Sequence, residues 1–133
     1  MPPIQRNLFR LTEPERYRCQ VLHYHKRLSR LYLSIFLPND EQNAIALLFA
    51  DVAYFDCPVN WQSANFTLRP DDECVALLLE TGLIGEAVLH FPGAYASLTE
   101  HVHLYEVPTT NRPVRIIAGS VTRLQQLPAE LQG

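Results

Sequence analysis

Two histidine pairs are the residues best suited by type and spacing to do chemistry in this chain. His23-x-His25 and His101-x-His103 are each two positions apart, so on an extended strand both imidazoles of a pair leave from one face and can share a metal ion. On a helix, residues two apart do not face each other. Two imidazoles hold zinc weakly, and the missing ligands would have to come from His90 or from the other pair. His23, His25, His101 and His103 are therefore weak metal candidates, and the expectation is a protein with no cofactor and no stoichiometric metal. In a strand over 98–107, His101, His103 and Tyr105 share a polar face opposite Leu98, Val102 and Leu104. That makes the three of them candidates for a ligand-facing or interfacial surface.

The other reactive side chains are less promising. Cys19, Cys57 and Cys74 are odd in number and widely spaced, with no CxxC, which disfavours both a zinc knot and a disulfide framework and fits a reducing compartment. A nucleophilic Cys57 would need a histidine brought to it by folding. Asp51 is a candidate because it is the only charge between Ala44 and Phe55, and a carboxylate on an apolar face needs a partner or a raised pKa. An arginine or tyrosine hydroxyl near a strand position is its plainer explanation. The five glycines form neither a dinucleotide fingerprint nor a phosphate loop. Gly82-Leu-Ile-Gly85 has apolar residues where a nucleic-acid clamp has basic ones, and reads as a helix stop. Lys26, the only lysine, sits among arginines and is expected to be solvated. No serine has the GxSxG context of an activated nucleophile.

Charge is unevenly placed. Seven of the eleven basic residues, with only two acids, lie in residues 1–38, whereas the rest of the chain has twelve acids and four arginines. A head near +5 and a body near −8 favour contact between copies. The same acidic body weakens any attraction for phosphate, so nucleic acid is not the expected partner, although Tyr17 and Tyr24 beside basic residues leave an accessory nucleic-acid module as an alternative.

These groups are positioned by the elements around Ala44–Trp61, a run apolar on both strand faces that ends at Asp56-Cys57-Pro58 and the only tryptophan. Such a strand belongs inside a fold, and Trp61, a further candidate for a ligand or interface, should be at least partly buried beside it. Arg30–Leu37 alternates as a strand. Residues 13–28 have two readings: a helix begun by the capping box Thr12-Glu-Pro-Glu15, or a strand from Tyr17 to His25 closed onto Arg30–Leu37 by the four-residue turn Lys26–Ser29. The hairpin is preferred. Asn65–Leu68, Leu83–Phe91, 98–107 and Pro113–Ala118 read as strands, with Pro108–Arg112 as a loop. Three acids ahead of Val75, Leu78 and Leu79, with Gly82 beyond, predict a helix over 72–81. Ser120 is placed to cap a last helix.

The reading is one α+β domain over 1–133, with an irregular arm at 1–11 and a mainly antiparallel sheet or partly open barrel covered by one or two short helices. No apolar run reaches the roughly 20 residues of a membrane helix and no secretory signal is visible, so a cytoplasmic location is expected. The function expected is non-enzymatic binding of a protein or ligand, with the chain as a homo-oligomer. A metal- or small-ligand-binding barrel using the histidine pairs is the alternative.

Overall fold

The turn Lys26–Ser29 decides the first half of the molecule. In the computed structural model, which describes residues 5–131, it joins strand β1 (Arg18–His25) to β2 (Arg30–Leu37), and their antiparallel ladder runs from Arg18 opposite Phe36 to His25 opposite Arg30. The helical alternative fails because Glu13 lies at φ 51 without a side-chain cap and the turn after it stops at Arg16. Cys19 and Val21 then meet Ile35 and Leu33 on one face, and an extra residue at Leu22 bulges the strand. Pro38-Asn39 turns β2 into β3 (Asp40–Ala50).

Strand β3 is less central than its composition implied. It lies between β2 and β9 (Ser120–Leu124) in a five-stranded sheet ordered β5-β1-β2-β3-β9, where β5 is Asn60–Gln62. Leu47 and Phe49 are wholly buried, but Ala46, Leu48 and Ala50 on the opposite face are only half-buried. The alanines shorten the outer face, so one covered side is enough. The strand stops at Asp51, which is exposed at φ 53. Asp51 is thus a left-handed corner, a conformation its short side chain tolerates, and not a carboxylate on an apolar strand face.

Beyond this corner the Val52 and Ala53 amides donate to the Ser29 and Ile117 carbonyls, at 2.9 and 2.8 Å, as the chain steps from one sheet to the other. The second sheet has the order β4-β8-β7-β6, with β4 at Tyr54–Asp56, β6 at Thr67–Leu68, β7 at His103–Val107 and β8 at Val114–Ala118. Both sheets are antiparallel and they do not close into a barrel. Between them lie Leu31, Leu33, Ile35, Leu47, Val107 and Ile116. Phe49 links the layers, its ring centroid 5.4 Å from Tyr105 and 5.8 Å from Phe66.

Helix α1 (Asp71–Glu80) covers the outer face of the second sheet, placing Cys74, Leu77 and Leu78 on Leu104 and Ile117. Its three leading acids complement the helix dipole. Glu73 also accepts a forked pair of hydrogen bonds from Arg69 Nη2, both 2.9 Å. The end is a Schellman closure: Gly82 takes φ +76, its amide donates to Leu79 O at 3.1 Å, and the Leu83 amide donates to Leu78 O at 3.0 Å. Among the described residues no helix is long and apolar enough to cross a membrane.

Three expected elements differ. Leu83–Phe91 is not a strand, because the Leu83 and Ile84 amides close α1 and the Glu-Ala-Val-Leu-His that follows winds into a 3-10 turn, Glu86–His90. The strand over 98–107 is divided: Ala94–His101, rich in helix formers, is helix α2, and only His103–Val107 is strand. Ser120 caps no helix, since Val121 and Thr122 suit a strand and the free edge of β3 receives them. The arm is irregular as far as it is described, with Phe9 edge-on to Phe66 and Leu11 buried; its residues 1–4 lie outside the described residues.

Candidate functional site

The histidine pairs are dispersed. His23 and His25 share the outer face of β1, their rings 6.0 Å apart, with His23 6.4 Å from Tyr32. His25 Nδ1 accepts the Leu28 amide at 3.3 Å. His101 sits in the last turn of α2, where Nδ1 is 2.6 Å from the Ser97 carbonyl; a carbonyl only accepts, so that nitrogen carries the proton. His103 opens β7, and His90 lies in the 3-10 turn. The two members of the second pair thus belong to different elements and do not share a strand face. No three metal-binding side chains come together among the described residues. Tyr105 likewise leaves the proposed polar face: it is buried between the sheets, and burial raises its phenol pKa.

Trp61 is the candidate that the fold places in a cavity wall. It occupies the middle of β5 opposite Cys19, is 5% exposed, and packs edge-on to Phe66 at 6.4 Å. Its indole Nε1 is buried and has no hydrogen-bond partner among the described residues, and such a donor costs about 1–3 kcal/mol. Beside it opens a cleft of about 1000 Å³. The cleft is framed by β4 and β5, the outer strands at one side of each sheet, and by the loop Pro108–Pro113 joining β7 to β8. Trp61, Ser63 and Val114 are its buried part.

The walls combine apolar surface from Trp61, Pro58, Pro108, Pro113 and Val114 with uncharged polar groups, and three charged side chains, Glu15, Asp56 and Arg112, also line them. Asn60, Gln62, Asn65, Thr109, Thr110 and Asn111 contribute amides and hydroxyls. Several are held in place: Arg18 Nη2 donates to Asn60 Oδ1 at 2.7 Å, Gln62 Nε2 donates to the Glu15 carbonyl at 2.8 Å, and Asn65 Oδ1 accepts the Asn7 amide at 2.9 Å. Thr109 Oγ1 donates to the Arg112 carbonyl at 2.7 Å and tightens the loop. One ion pair links the walls, Arg112 Nη2 to Asp56 Oδ2 at 2.6 Å. Asp56 is therefore committed to a loop arginine.

Cys57 also lines the cleft. Burial, and then the charge of Asp56, push its thiol from 9.0 up to about 11, which suppresses the thiolate needed for nucleophilic attack. Trp61 was singled out in the sequence by being unique. The amide-rich walls were not, because Asn60–Asn65 and Pro108–Pro113 are far apart in the chain; the prolines bracketing the second loop were the only local signal. Comparison with family models, curated proteins and solved structures finds no match for this chain.

Proposed function

We propose that the protein is a non-catalytic binding domain that takes an uncharged polar organic ligand in the cleft beside Trp61. The observation that carries this reading is the lining: neutral amides and hydroxyls, held by backbone and arginine contacts, stand around an aromatic floor. Concave sites with an apolar base and a few fixed polar groups are where small ligands bind. The cleft's one arginine is committed to Asp56, so a phosphate or carboxylate would have to break an ion pair to bind. A protonated Cys57 gives no activated nucleophile, which supports binding over catalysis. The free thiols at Cys19, Cys57 and Cys74 suit the cytoplasm.

The test is a titration of the whole protein with neutral polyols, sugars and N-acetyl amino-acid amides, followed by Trp61 fluorescence and backbone amide shifts. Saturable changes confined to residues 56–65 and 108–114, weakened in Asn60→Ala and Asn111→Ala, are expected. No response to any of these classes at millimolar concentration, or a response to anions alone, would overturn the proposal.

A further inference from the structure

The strand that carries Trp61 leaves part of its main chain unpaired along the cleft. β5 is held by β1 alone, and the bonds at its two ends fix which way each residue faces. The Val21 amide donates to the Val59 carbonyl and the Ser63 amide to the Tyr17 carbonyl, both at 2.8 Å. Bonded and non-bonded pairs alternate in an antiparallel ladder, so with Cys19 opposite Trp61, residues 59, 61 and 63 turn their peptide groups toward β1. Asn60 and Gln62 turn theirs the other way. Their amides and carbonyls have no partner among the described residues, and both residues are exposed. Asn60, Trp61, Gln62 and Ser63 all line the cleft, which sets this open edge in its wall.

We propose that the ligand of the cleft is an extended peptide segment with uncharged side chains, bound by strand addition to the free edge of β5. The proposal rests on the cleft reading above and narrows its ligand class. What carries it is the spacing of the free groups. Two donor–acceptor pairs stand two residues apart, roughly 7 Å along a strand, and an extended polypeptide repeats its own N–H and C=O at that interval. A peptide antiparallel to β5 exchanges two hydrogen bonds with Asn60 and two with Gln62. A polyol has no such repeat. The side chains of these two residues are already engaged: Gln62 Nε2 donates to the Glu15 and Tyr17 carbonyls at 2.8 and 3.2 Å, and Asn60 Oδ1 accepts from Arg18.

Strand alternation also sorts the side chains of the peptide. The residue opposite Trp61 projects on the face of Trp61, the buried side of the edge, where an apolar side chain suits it. Its two neighbours project on the exposed face of Asn60 and Gln62 and are expected to be polar. The outer edge of β6, by contrast, is met by the arm, the Leu68 amide donating to the Gln5 carbonyl at 2.7 Å. β5 spans only Asn60–Gln62. So short an edge disfavours sheet-to-sheet pairing between copies but suffices for one segment seated in a cleft of about 1000 Å³.

Amide hydrogen exchange and backbone shifts of the whole protein, read by NMR with the capped pentapeptide acetyl-Ser-Thr-Val-Thr-Ser-amide, test this. With saturating peptide the Asn60 and Gln62 amides should exchange at least about tenfold more slowly. The Ser63 amide, already bonded to the Tyr17 carbonyl, should change little. N-methylation of both threonines removes the two donors that face β5 and should weaken binding at least about tenfold, whereas N-methylation of the valine, whose amide faces away, should be tolerated. Peptide binding that is indifferent to both methylation patterns, or that leaves exchange at Asn60 and Gln62 unchanged, overturns the inference. Binding of neutral polyols or sugars without the peptide overturns it too and leaves the cleft reading standing, while silence from every neutral probe overturns both. Exchange at Asn60 and Gln62 that slows with the protein's own concentration overturns it in favour of a second copy at this edge.

Discussion

The hairpin strands β2 and β3 and the segment 81–102 are both rich in apolar residues, yet the fold uses them in opposite ways. Leu31, Leu33, Ile35, Leu47 and Phe49 have no exposed surface, whereas Leu83, Val88, Phe91 and Tyr95 stand out in water. The difference follows from backbone partners. Strand β2 is hydrogen-bonded on both edges, to β1 and β3, and is held flat against the second sheet. The segment 81–102 bonds mainly to itself, through short-range turns such as Val88 N to Gly85 O and Ala94 N to Phe91 O, so no ladder fixes its outer face against a neighbour. Apolar content supplies the driving force for burial, but register with a distant strand decides which side chains receive it.

The contrast is broken most directly at Phe49. Because it is fully buried and bridges both sheets through Tyr105 and Phe66, Phe49→Ala should cost about 3–5 kcal/mol in urea unfolding. A loss below about 1 kcal/mol would mean that the two sheets are not held together by this aromatic contact.

Alkali probes the same interior through its protons. Burial pushes the Cys74 thiol on α1 from 9.0 up to about 11, with the charge of Asp71 adding to it. Cys57 is raised to a similar value, and burial also raises Cys19 and Tyr105. The folded state keeps these groups neutral, while the unfolded chain ionises them at their lower ordinary values. Their contribution is whole below about pH 9 and is lost as pH rises toward about 11. Unfolding midpoints in urea should fall across that window, and Cys74→Val should flatten the fall. A midpoint constant through it would contradict the burial of these thiols.

Gly82 lies at the start of the segment 81–102, where it leaves α1. At φ +76, with nothing within 4 Å of an added Cβ, Gly82→Ala meets only backbone strain and should cost roughly 1–2 kcal/mol. The smallest effect belongs to the segment itself: Phe91→Ala should change monomer stability by less than about 0.5 kcal/mol, measured by thermal melting at micromolar concentration. A large loss there would erase the contrast with Phe49.

Helix α1 was legible almost to the residue because its signals are local: acids for the orphan amides, and a glycine for the left-handed closure. The β1–β2 hairpin was legible for a related reason, since a four-residue turn between alternating segments brings its own partner into register. Asp51 was misplaced because a strand face was extended through a break: it lies one residue past the end of β3. Tyr105 does lie on the face opposite Leu104, as alternation has it, but its strand is covered on both faces, by the first sheet and by α1, where alternation no longer separates core from surface.

By itself the sequence determined the α+β class, the helix read at 72–81 and found at 71–80, the first hairpin and the burial of Trp61, because turn chemistry, capping and hydrophobic period act over a few residues. Only the tertiary structure decided that β9 takes the free edge of β3 and that β3 buries a single face. It alone decided that His101 and His103 belong to different elements, and that Asn60 and Asn111 line one cleft. Those outcomes rest on pairing between segments tens of residues apart, such as Ala46 with Leu124 and Asp56 with Arg112. No local preference encodes a partner at that distance; it is selected by the joint burial of both sheets.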